Sequence, residues 1–179
     1  MSPYSWFAAE RIGALLPAAE WVPVFAGGVF KANGRTSWGL TDERATKLAD
    51  CEARARERGL GGINWPDPWP TNDVHVARAM VAAERRGALV PFALAAMRLA
   101  FHEGRDLGAP GAVRDAAARI GLDPDEIELA TRDPVIKQAL RDNTDGAVAL
   151  GVIGVPTVAV GTRLFWGDDR LEEAVRLAA

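Results

Sequence analysis

The sequence is poor in the residues that carry redox and metal chemistry. Its 179 residues include one cysteine, Cys51, and two histidines, His75 and His102. One cysteine cannot close an internal disulfide, and two isolated histidines cannot supply the clustered ligands of a zinc site. We therefore expect no metal and no disulfide exchange by the protein's own side chains. Cys51 is interpreted as a buried or half-buried helical residue, and each histidine as a surface or core residue.

An excess of charge of one sign is also lacking. The 21 Lys and Arg residues are balanced by 24 Asp and Glu, for a formal net charge of −3. This balance excludes a broad basic surface for nucleic acid or for an anionic membrane. No run of 18 apolar residues is present, and no basic stretch with an apolar signal core opens the sequence. These features predict a soluble, cytoplasmic protein whose partner is a small molecule, with neither nucleic acid nor membrane as a partner.

Hydrophobic periodicity divides the chain into three parts. The first part predicts a helix over residues 3–16 and then a short strand over 20–26, which Gly27 and Gly28 end. The middle part is helical, with a Gly- and Pro-rich loop over 59–73 that is long enough to be functional. Its predicted helices span 41–58, 72–86, 90–103 and 110–120, followed by a broken helical stretch over 124–150. The last part predicts strands over 155–160 and 163–165 and a closing helix over 168–177.

This order of elements predicts an α/β chain with a thioredoxin-like fold, in which β-α-β precedes β-β-α and a helical domain is inserted between them. We assign residues 1–40 and 151–179 to the thioredoxin-like domain, and residues 41–150 to an all-helical insert with its return helix. Every part of that fold is present except the first, central strand. We therefore expect Met1 to be a truncated or misassigned start, with an extended apolar segment encoded upstream.

The first motif with possible chemistry is SPYS. Ser2 followed by Pro3 is a good helix N-cap with proline at the first helical position. The spacing of Ser2 and Ser5 is also that of a Cys-x-x-Cys pair. A serine hydroxyl can donate a hydrogen bond to a thiolate brought in by a cofactor, at a helix N-terminus that favours the anion. Taken alone, the motif indicates a cap.

Two motifs near the end of the chain accompany it. In GVPT, Val155 must be extended because it precedes Pro156, and a cis bond there can direct backbone groups at a ligand. In WGDDR, Asp168 is well placed to cap a helix. The same helix end offers free amides and Arg170 to a carboxylate, and Asp169 to an ammonium group. Such a site suits an amino-acid-like ligand. The charged RARERG segment is interpreted as a solvated helix face.

Together, SPYSW at a helix start, a helical insert, GVPT and FWGDDRLE, in that order, resemble a known family. They are similar to the 2-hydroxychromene-2-carboxylate isomerases and kappa-class glutathione transferases, within the DsbA-like thioredoxin superfamily. The resemblance covers essentially the whole chain and includes VFKANGR and the WPTND loop, which line the active site in the family. It implies glutathione as the cofactor, a role in aromatic catabolism, and a homodimer.

The resemblance also implies roles for single residues. Ser2 corresponds to the serine that hydrogen-bonds the glutathione sulfur. Val155, before a presumed cis Pro156, corresponds to the residue whose backbone pairs with the cysteinyl part. Asp169 and Arg170 correspond to residues near the γ-glutamyl end, which makes this end of the chain the cofactor side.

Asp168 stands where the transferases typically have serine and is assigned to the same cofactor site. Lys31 and Asn33 fall in the segment on the substrate side. Asn72 is also implied to bind substrate, although it is equally well placed as an N-cap. Three tryptophans in loop-like stretches, Trp38, Trp65 and Trp69, suit either the walls of a site for a flat aromatic substrate or an interface between subdomains.

The leading hypothesis is a glutathione-dependent isomerase, in which a thiolate adds reversibly to an α,β-unsaturated α-keto acid. A transferase that conjugates glutathione to electrophiles would use the same sulfur, and a non-catalytic thioredoxin-like binding module would keep the fold alone. A thiol other than glutathione also stays open. A disulfide oxidoreductase is disfavoured because serine occupies both cysteine positions.

Overall fold

The structure, a computed structural model, describes residues 1–178. Within that range it contains nine α-helices, two 3₁₀ turns and one two-stranded sheet. The helices are α1 (Pro3–Leu15), α2 (Ala26–Ala32), α3 (Arg44–Glu57), α4 (Val74–Glu84), α5 (Leu89–Glu103), α6 (Ala112–Arg119), α7 (Pro124–Ala130), α8 (Pro134–Ala149) and α9 (Leu171–Ala178). The strands are β1 (Thr157–Val160) and β2 (Arg163–Trp166), and the 3₁₀ turns are Trp38–Leu40 and Asp168–Arg170.

Capping residues set the start of three helices. In α1, α7 and α8 a proline occupies the first turn and the preceding side chain accepts from the backbone. Asp133, for example, accepts from the Val135 N–H at 2.7 Å. Prolines lack the N–H that would be orphaned there, and the carboxylate or hydroxyl satisfies the next donors. The predicted broken stretch over 124–150 is therefore two helices, separated at the cap Asp133.

One buried cluster runs from α1 into the middle helices. Trp6 and Phe7 of α1 are fully buried together with Phe101 of α5, and the Trp6 and Phe101 rings stack with their centroids 5.5 Å apart. Small side chains dominate the buried faces of α4 and α5, which lets these helices approach closely. No helix in the described range is both long and apolar enough to cross a membrane.

The sheet is a short antiparallel hairpin. Thr157 pairs with Trp166 and Val160 with Arg163, across the predicted turn at Gly161. Beyond the strands, the Gly167 N–H donates to the Pro156 carbonyl at 2.9 Å, which extends the ladder by one pair. The closing helix α9 packs against both strands.

The strand predicted over residues 20–26 is wrong. Residues 21–25 have no regular structure, and α2 begins at Ala26. The segment is extended, as the Phe25 angles of φ −86° and ψ 106° show, but its backbone bonds to side chains of α8 instead of a strand. Thr144 Oγ1 accepts from the Phe25 N–H at 3.0 Å, and Asn143 Nδ2 donates to the Pro23 carbonyl at 3.2 Å. β-favouring residues become a strand only where a neighbouring strand is available.

Candidate functional site

A cavity of about 520 Å³ lies where the three sequence motifs meet. The start of α1, α2 with the segment that leaves it, one side of α3, the loop over residues 69–73 and the end of β2 form its walls. Five of the predicted site residues line it: Ser2, Asn72, Val155, Asp168 and Asp169. Pro156, Arg170, Lys31 and Asn33 are not among its lining residues.

Ser2 occupies the N-cap of α1 at the edge of this cavity. Its backbone is extended (φ −103°, ψ 131°), and its Oγ accepts from the Ser5 N–H at the long distance of 3.4 Å. Pro3 follows it at the first helical position and is buried. Accepting from Ser5 leaves the hydroxyl hydrogen of Ser2 free to donate. The cap and the proposed donor are therefore compatible uses of one side chain.

Val155 presents backbone groups to the same cavity. The Val155–Pro156 peptide bond is cis, as predicted. Because Pro156 pairs with Gly167 across the hairpin, the alternation of an antiparallel ladder turns the Val155 N–H and carbonyl away from β2. Within residues 1–178 neither group has a hydrogen-bond partner. An extended peptide-like ligand can pair with both.

Two glycines near Val155 lie so close to neighbouring side chains that a Cβ would clash with them. An added Cβ at Gly154 would lie 2.5 Å from Trp166 Nε1. Gly167 has a φ of 111°, and a Cβ there would lie 2.3 Å from the Asp169 carboxylate. Any larger residue at either place would displace a cavity wall.

Asp168 is not the helix cap that the sequence suggested. Gly167 is the N-cap of the 3₁₀ turn and makes no side-chain capping bond, while Asp168 is fully buried. Its Oδ1 accepts from Arg54 Nη1 at 2.6 Å, and its other oxygen contacts the Arg58 guanidinium. A buried carboxylate requires such partners. The Asp168 carboxylate is thus already engaged inside the protein, although the residue lines the cavity.

The same ion cluster corrects the interpretation of RARERG as a solvated face. Arg54 and Arg58 are one helical turn apart and both point at Asp168, with 31% and 19% of their side chains exposed. Their i, i+4 spacing is the available sequence signal. It could not be used because nothing in the sequence shows that Asp168 lies opposite α3.

The Asp169 and Arg170 side chains lie in different places. Asp169 lines the cavity, as Val155 does. Arg170 is exposed and pairs with Glu173, Nη2 to Oε2 at 2.6 Å, outside the cavity. Of the predicted carboxylate and ammonium contacts, the structure places only the ammonium partner at the cavity.

The substrate-side residues also differ from the prediction. Lys31 is exposed in the last turn of α2. Asn33 closes that helix, since its Nδ2 donates to the Val29 carbonyl at 2.9 Å and the Val152 carbonyl at 3.1 Å. The cations of this region that line the cavity are Arg35 and Lys47, which the sequence did not single out.

Asn72 lies in the cavity wall and also makes a local bond. Its Oδ1 accepts from the Val74 N–H at 3.4 Å, while the N-cap position of α4 belongs to Asp73. So long a contact is a weak cap. The amide of Asn72 is therefore available to a ligand.

Tryptophan rings form one wall. Trp38 and Trp69 both line the cavity, with centroids 4.6 Å apart, and Trp65 packs behind Trp69 at 4.8 Å. Trp65 also meets Phe101 of the helical core at 6.1 Å. Trp38 and Trp69 thus face the cavity and Trp65 joins them to the helical core, while their role toward an aromatic substrate stays a prediction. Gly39 makes this packing possible, since a Cβ there would lie 2.5 Å from the Trp69 ring.

Tyr4 lies between the cavity and Cys51. The Arg54 guanidinium is 5.4 Å from its ring centroid, and burial raises the pKa of Tyr4 above its ordinary value. Burial likewise raises the pKa of the Cys51 thiol to about 11. Cys51 is fully buried, as predicted. Neither residue supplies an anion at neutral pH, so a thiolate at this cavity has to come from a ligand.

Neither His75 nor His102 lines the cavity. Within residues 1–178, no group of three or more His, Cys, Asp or Glu side chains is arranged to hold a metal ion.

Comparisons with known proteins agree with the element order. Over residues 1–177 the sequence matches the DSBA-like thioredoxin domain family. A solved 2-hydroxychromene-2-carboxylate isomerase has a similar structure, with a TM-score of 0.85, 19% identity, and coverage of 96% of this chain and 87% of the isomerase. A probable DsbA oxidoreductase from Streptomyces coelicolor is also similar, with a TM-score of 0.70, 17% identity, and coverage of 99% and 84%.

No curated protein matches the sequence. Identities this low show a shared fold and no more, but the family match extends over nearly the whole chain. The expected thioredoxin-like fold with inserted helices is confirmed, in a helix-dominated form with a small sheet. The chain belongs to the family of DsbA-like thioredoxin domains.

Proposed function

We propose that the protein is a glutathione-dependent isomerase of the 2-hydroxychromene-2-carboxylate isomerase type. The observation that carries the proposal is the meeting of Ser2, at a helix N-terminus, and the unpaired backbone of Val155 at one cavity. A cysteinyl peptide is a ligand that can use both at once. A solved 2-hydroxychromene-2-carboxylate isomerase shares this fold, and the reaction type is proposed by analogy with it.

The residues present fit glutathione. The Val155 N–H and carbonyl can pair with the cysteinyl backbone, and Asp169 can accept from the γ-glutamyl ammonium group. Bound there, glutathione would supply a thiolate that adds reversibly to an α,β-unsaturated α-keto acid. Such chemistry needs no cysteine in the protein, and the buried Cys51 is not at the cavity.

The contribution of the protein is to favour the ionised sulfur and to hold the substrate. Ser2 would donate its hydroxyl hydrogen to the sulfur, and the N-terminus of α1, where the Tyr4 N–H is not used by the cap, adds the positive end of the helix dipole. Trp38 and Trp69 offer flat walls against which a conjugated substrate can lie. Asn72, on the same loop as Trp69, would bind a substrate oxygen.

The proposal is tested with the purified protein, 2-hydroxychromene-2-carboxylate and glutathione. Glutathione-dependent isomerisation is followed by ultraviolet absorbance, and glutathione binding by calorimetry. Removal of one hydrogen bond to a developing or bound anion lowers turnover by about 10²-fold or more, so Ser2→Ala should do so. Ser5→Ala is the matched control because Ser5 does not line the cavity.

The capping bond of Ser2 is long, so its loss in Ser2→Ala should cost about 0.5 kcal/mol of stability, at the low end for caps, and the thermal midpoint is measured beside activity. Conjugation of the thiol to an electrophile without isomerisation would identify a transferase instead. Absence of glutathione binding at millimolar concentration, or unchanged turnover in Ser2→Ala, would argue against the proposal and leave a binding module.

A further inference from the structure

Residues 33–38 form an exposed strap along the cavity. Its last four residues, Arg35, Thr36, Ser37 and Trp38, line the cavity one after another. Residues 33–36 are at the same time exposed to solvent. The strap leaves the end of α2 and leads into the 3₁₀ turn that begins at Trp38. This single segment therefore lies between the cavity and the surrounding solvent.

The backbone of the strap is bonded only to its neighbours in the chain. The amides of Gly34 and Arg35 donate to the Lys31 and Phe30 carbonyls of α2, at 3.2 and 2.8 Å. Among the described residues, no backbone hydrogen bond joins the strap to α1, to the hairpin or to the loop over residues 69–73. Segments with few bonds to the rest of a fold open at low free-energy cost. Side chains must therefore hold the strap against the cavity.

The two ends of the strap are held with different strength. At the far end, the Trp38 ring packs against Trp69 and Tyr4, with centroids 4.6 and 6.3 Å apart. At the near end, the Arg35 guanidinium carbon lies 4.6 Å from the ring centroid of Trp166, a residue that is 42% exposed. A cation–π contact at an exposed site is weak, whereas packed aromatic rings also bury apolar area. The Arg35 end is therefore the one that opens more easily.

The residues before Arg35 suit this end to movement. Asn33 is fixed at the end of α2, because its Nδ2 donates to the carbonyls of Val29 and Val152. Gly34 follows with a φ of 63°, and a Cβ added there would meet nothing within 4 Å. Glycine changes its backbone angles at little steric cost. The chain thus passes from a fixed residue through a glycine hinge to Arg35.

We propose that the strap is a gate to the cavity and that the stacking of Arg35 on Trp166 is its latch. When the stacked pair separates, residues 34–37 turn away about Gly34 and Trp38 and widen the entrance to the cavity. Loop openings of this kind admit ligands and release products in many enzymes. The inference goes beyond the proposed function because it concerns access, and it holds for any ligand of the cavity.

The test uses a reporter thiol at the cavity, introduced by Ser2→Cys in every protein compared. The natural Cys51 is fully buried, so the reagent meets one accessible thiol. Alkylation by uncharged N-ethylmaleimide is followed by intact mass, without glutathione and over a range of pH, so that rate constants of the fully ionised thiol are compared. Loss of an exposed cation–π contact should raise the open fraction, and with it this rate constant, by about 2- to 5-fold. Arg35→Gln and Trp166→Leu should each show this increase.

The double variant distinguishes a latch from two independent effects. If the two side chains act through their contact, Arg35→Gln adds nothing in a chain that already carries Trp166→Leu. Arg35→Lys keeps a cation above the ring and should stay near the native rate. Arg163→Gln is the matched control, since Arg163 stacks on Phe165 at 5.4 Å and is exposed but does not line the cavity. It should leave the rate unchanged, and all rates are measured well below each thermal midpoint.

An unchanged rate constant in Arg35→Gln overturns the inference. Effects of Arg35→Gln and Trp166→Leu that multiply in the double variant also overturn it, because the two residues then act separately. If Trp166→Leu does not fold, the two Arg35 variants decide: a faster reaction in Arg35→Gln than in Arg35→Lys supports the latch, and equal rates contradict it. None of these rates depends on glutathione, so the gate can hold where the proposed function fails.

Discussion

Two regions of the molecule differ in the kinds of residue that pack them. The helical block is formed by α4 to α8. The cavity end is formed by the start of α1, the hairpin and the loops around it. In the block, buried positions are filled by alanine and by a few large apolar side chains such as Phe92 and Phe101. At the cavity end, close contacts depend on Gly39, Gly154 and Gly167, and a carboxylate is buried.

Because of this difference, we expect stability and ligand binding to depend on different residues. A helical core depends on volume and pattern, and many apolar sequences satisfy it. The cavity end depends on particular residues, because a Cβ at one glycine or a missing ion partner has no nearby substitute. Substitutions in the block should therefore change stability and leave ligand binding intact, and those at the cavity should do the reverse.

The largest effect is expected from Phe101→Ala in the block. Phe101 is fully buried against Trp6, and its loss should lower the free energy of unfolding by about 3–5 kcal/mol through lost burial and a residual cavity. Denaturant unfolding measures the change. Leu129→Ala, at a side chain 69% exposed, is the control and should stay within about 0.5 kcal/mol. A loss below about 1 kcal/mol for Phe101→Ala would mean that the block does not dominate stability.

The second-largest effect on stability is expected at Asp168. This residue lines the cavity, but its carboxylate is an ion partner inside the protein. Asp168→Asn leaves Arg54 and Arg58 without their carboxylate. Breaking a buried pair costs about 3–5 kcal/mol, and the partial exposure of both arginines places the expected loss near 3 kcal/mol, or roughly 6–12 °C in the thermal midpoint. The adjacent Asp169→Asn is the matched control and should shift the midpoint little. Equal shifts would show that the ion cluster does not stabilise the fold.

The two regions also differ in what the sequence could predict. Apolar periodicity located the helices of the block, because a buried helix face repeats whatever its neighbours are. At the cavity end, the cis bond at Pro156 and the hairpin after it followed from local motifs. The predicted Ser2, Val155 and Asp169 do lie at one cavity, while their roles toward a ligand stay a prediction.

What the sequence missed depends on contacts between distant segments. The segment over residues 20–26 has strand-like composition, but its backbone bonds to α8. Arg54 and Arg58 looked like surface charges because their partner is more than 100 residues away in the chain. Arg35 ends the VFKANGR segment, but the sequence did not single it out, since its contact with Trp166 of β2 depends on the fold. Such pairings cannot be read from local pattern.

The smallest effect is expected at the seam between the two regions, where Arg98 of α5 holds Glu10 of α1. Arg98 Nε and Nη2 donate to the two Glu10 oxygens at 2.7 and 2.6 Å, and Trp6 Nε1 donates at 3.0 Å. The hydrogen bonds from Arg98 lower the pKa of Glu10 below its ordinary 4.5. A carboxyl group whose pKa is lowered in the folded state stabilises the protein when the pH is above the ordinary pKa. This contribution is lost as the pH falls through the folded-state pKa.

Arg98→Gln should therefore cost about 0.5–1 kcal/mol near neutral pH, a small value because Arg98 is half exposed. The difference from the native protein should shrink toward zero as the pH falls below 4.5. Denaturant unfolding at several pH values measures it. Arg119→Gln, which breaks the more exposed pair with Glu103, is the control and should cost less. If the loss of unfolding free energy in Arg98→Gln did not change with pH, the contact between the two regions would depend on side-chain packing. The ion pair would then not join the two regions, and α1 would be held to the block by its buried aromatic rings alone.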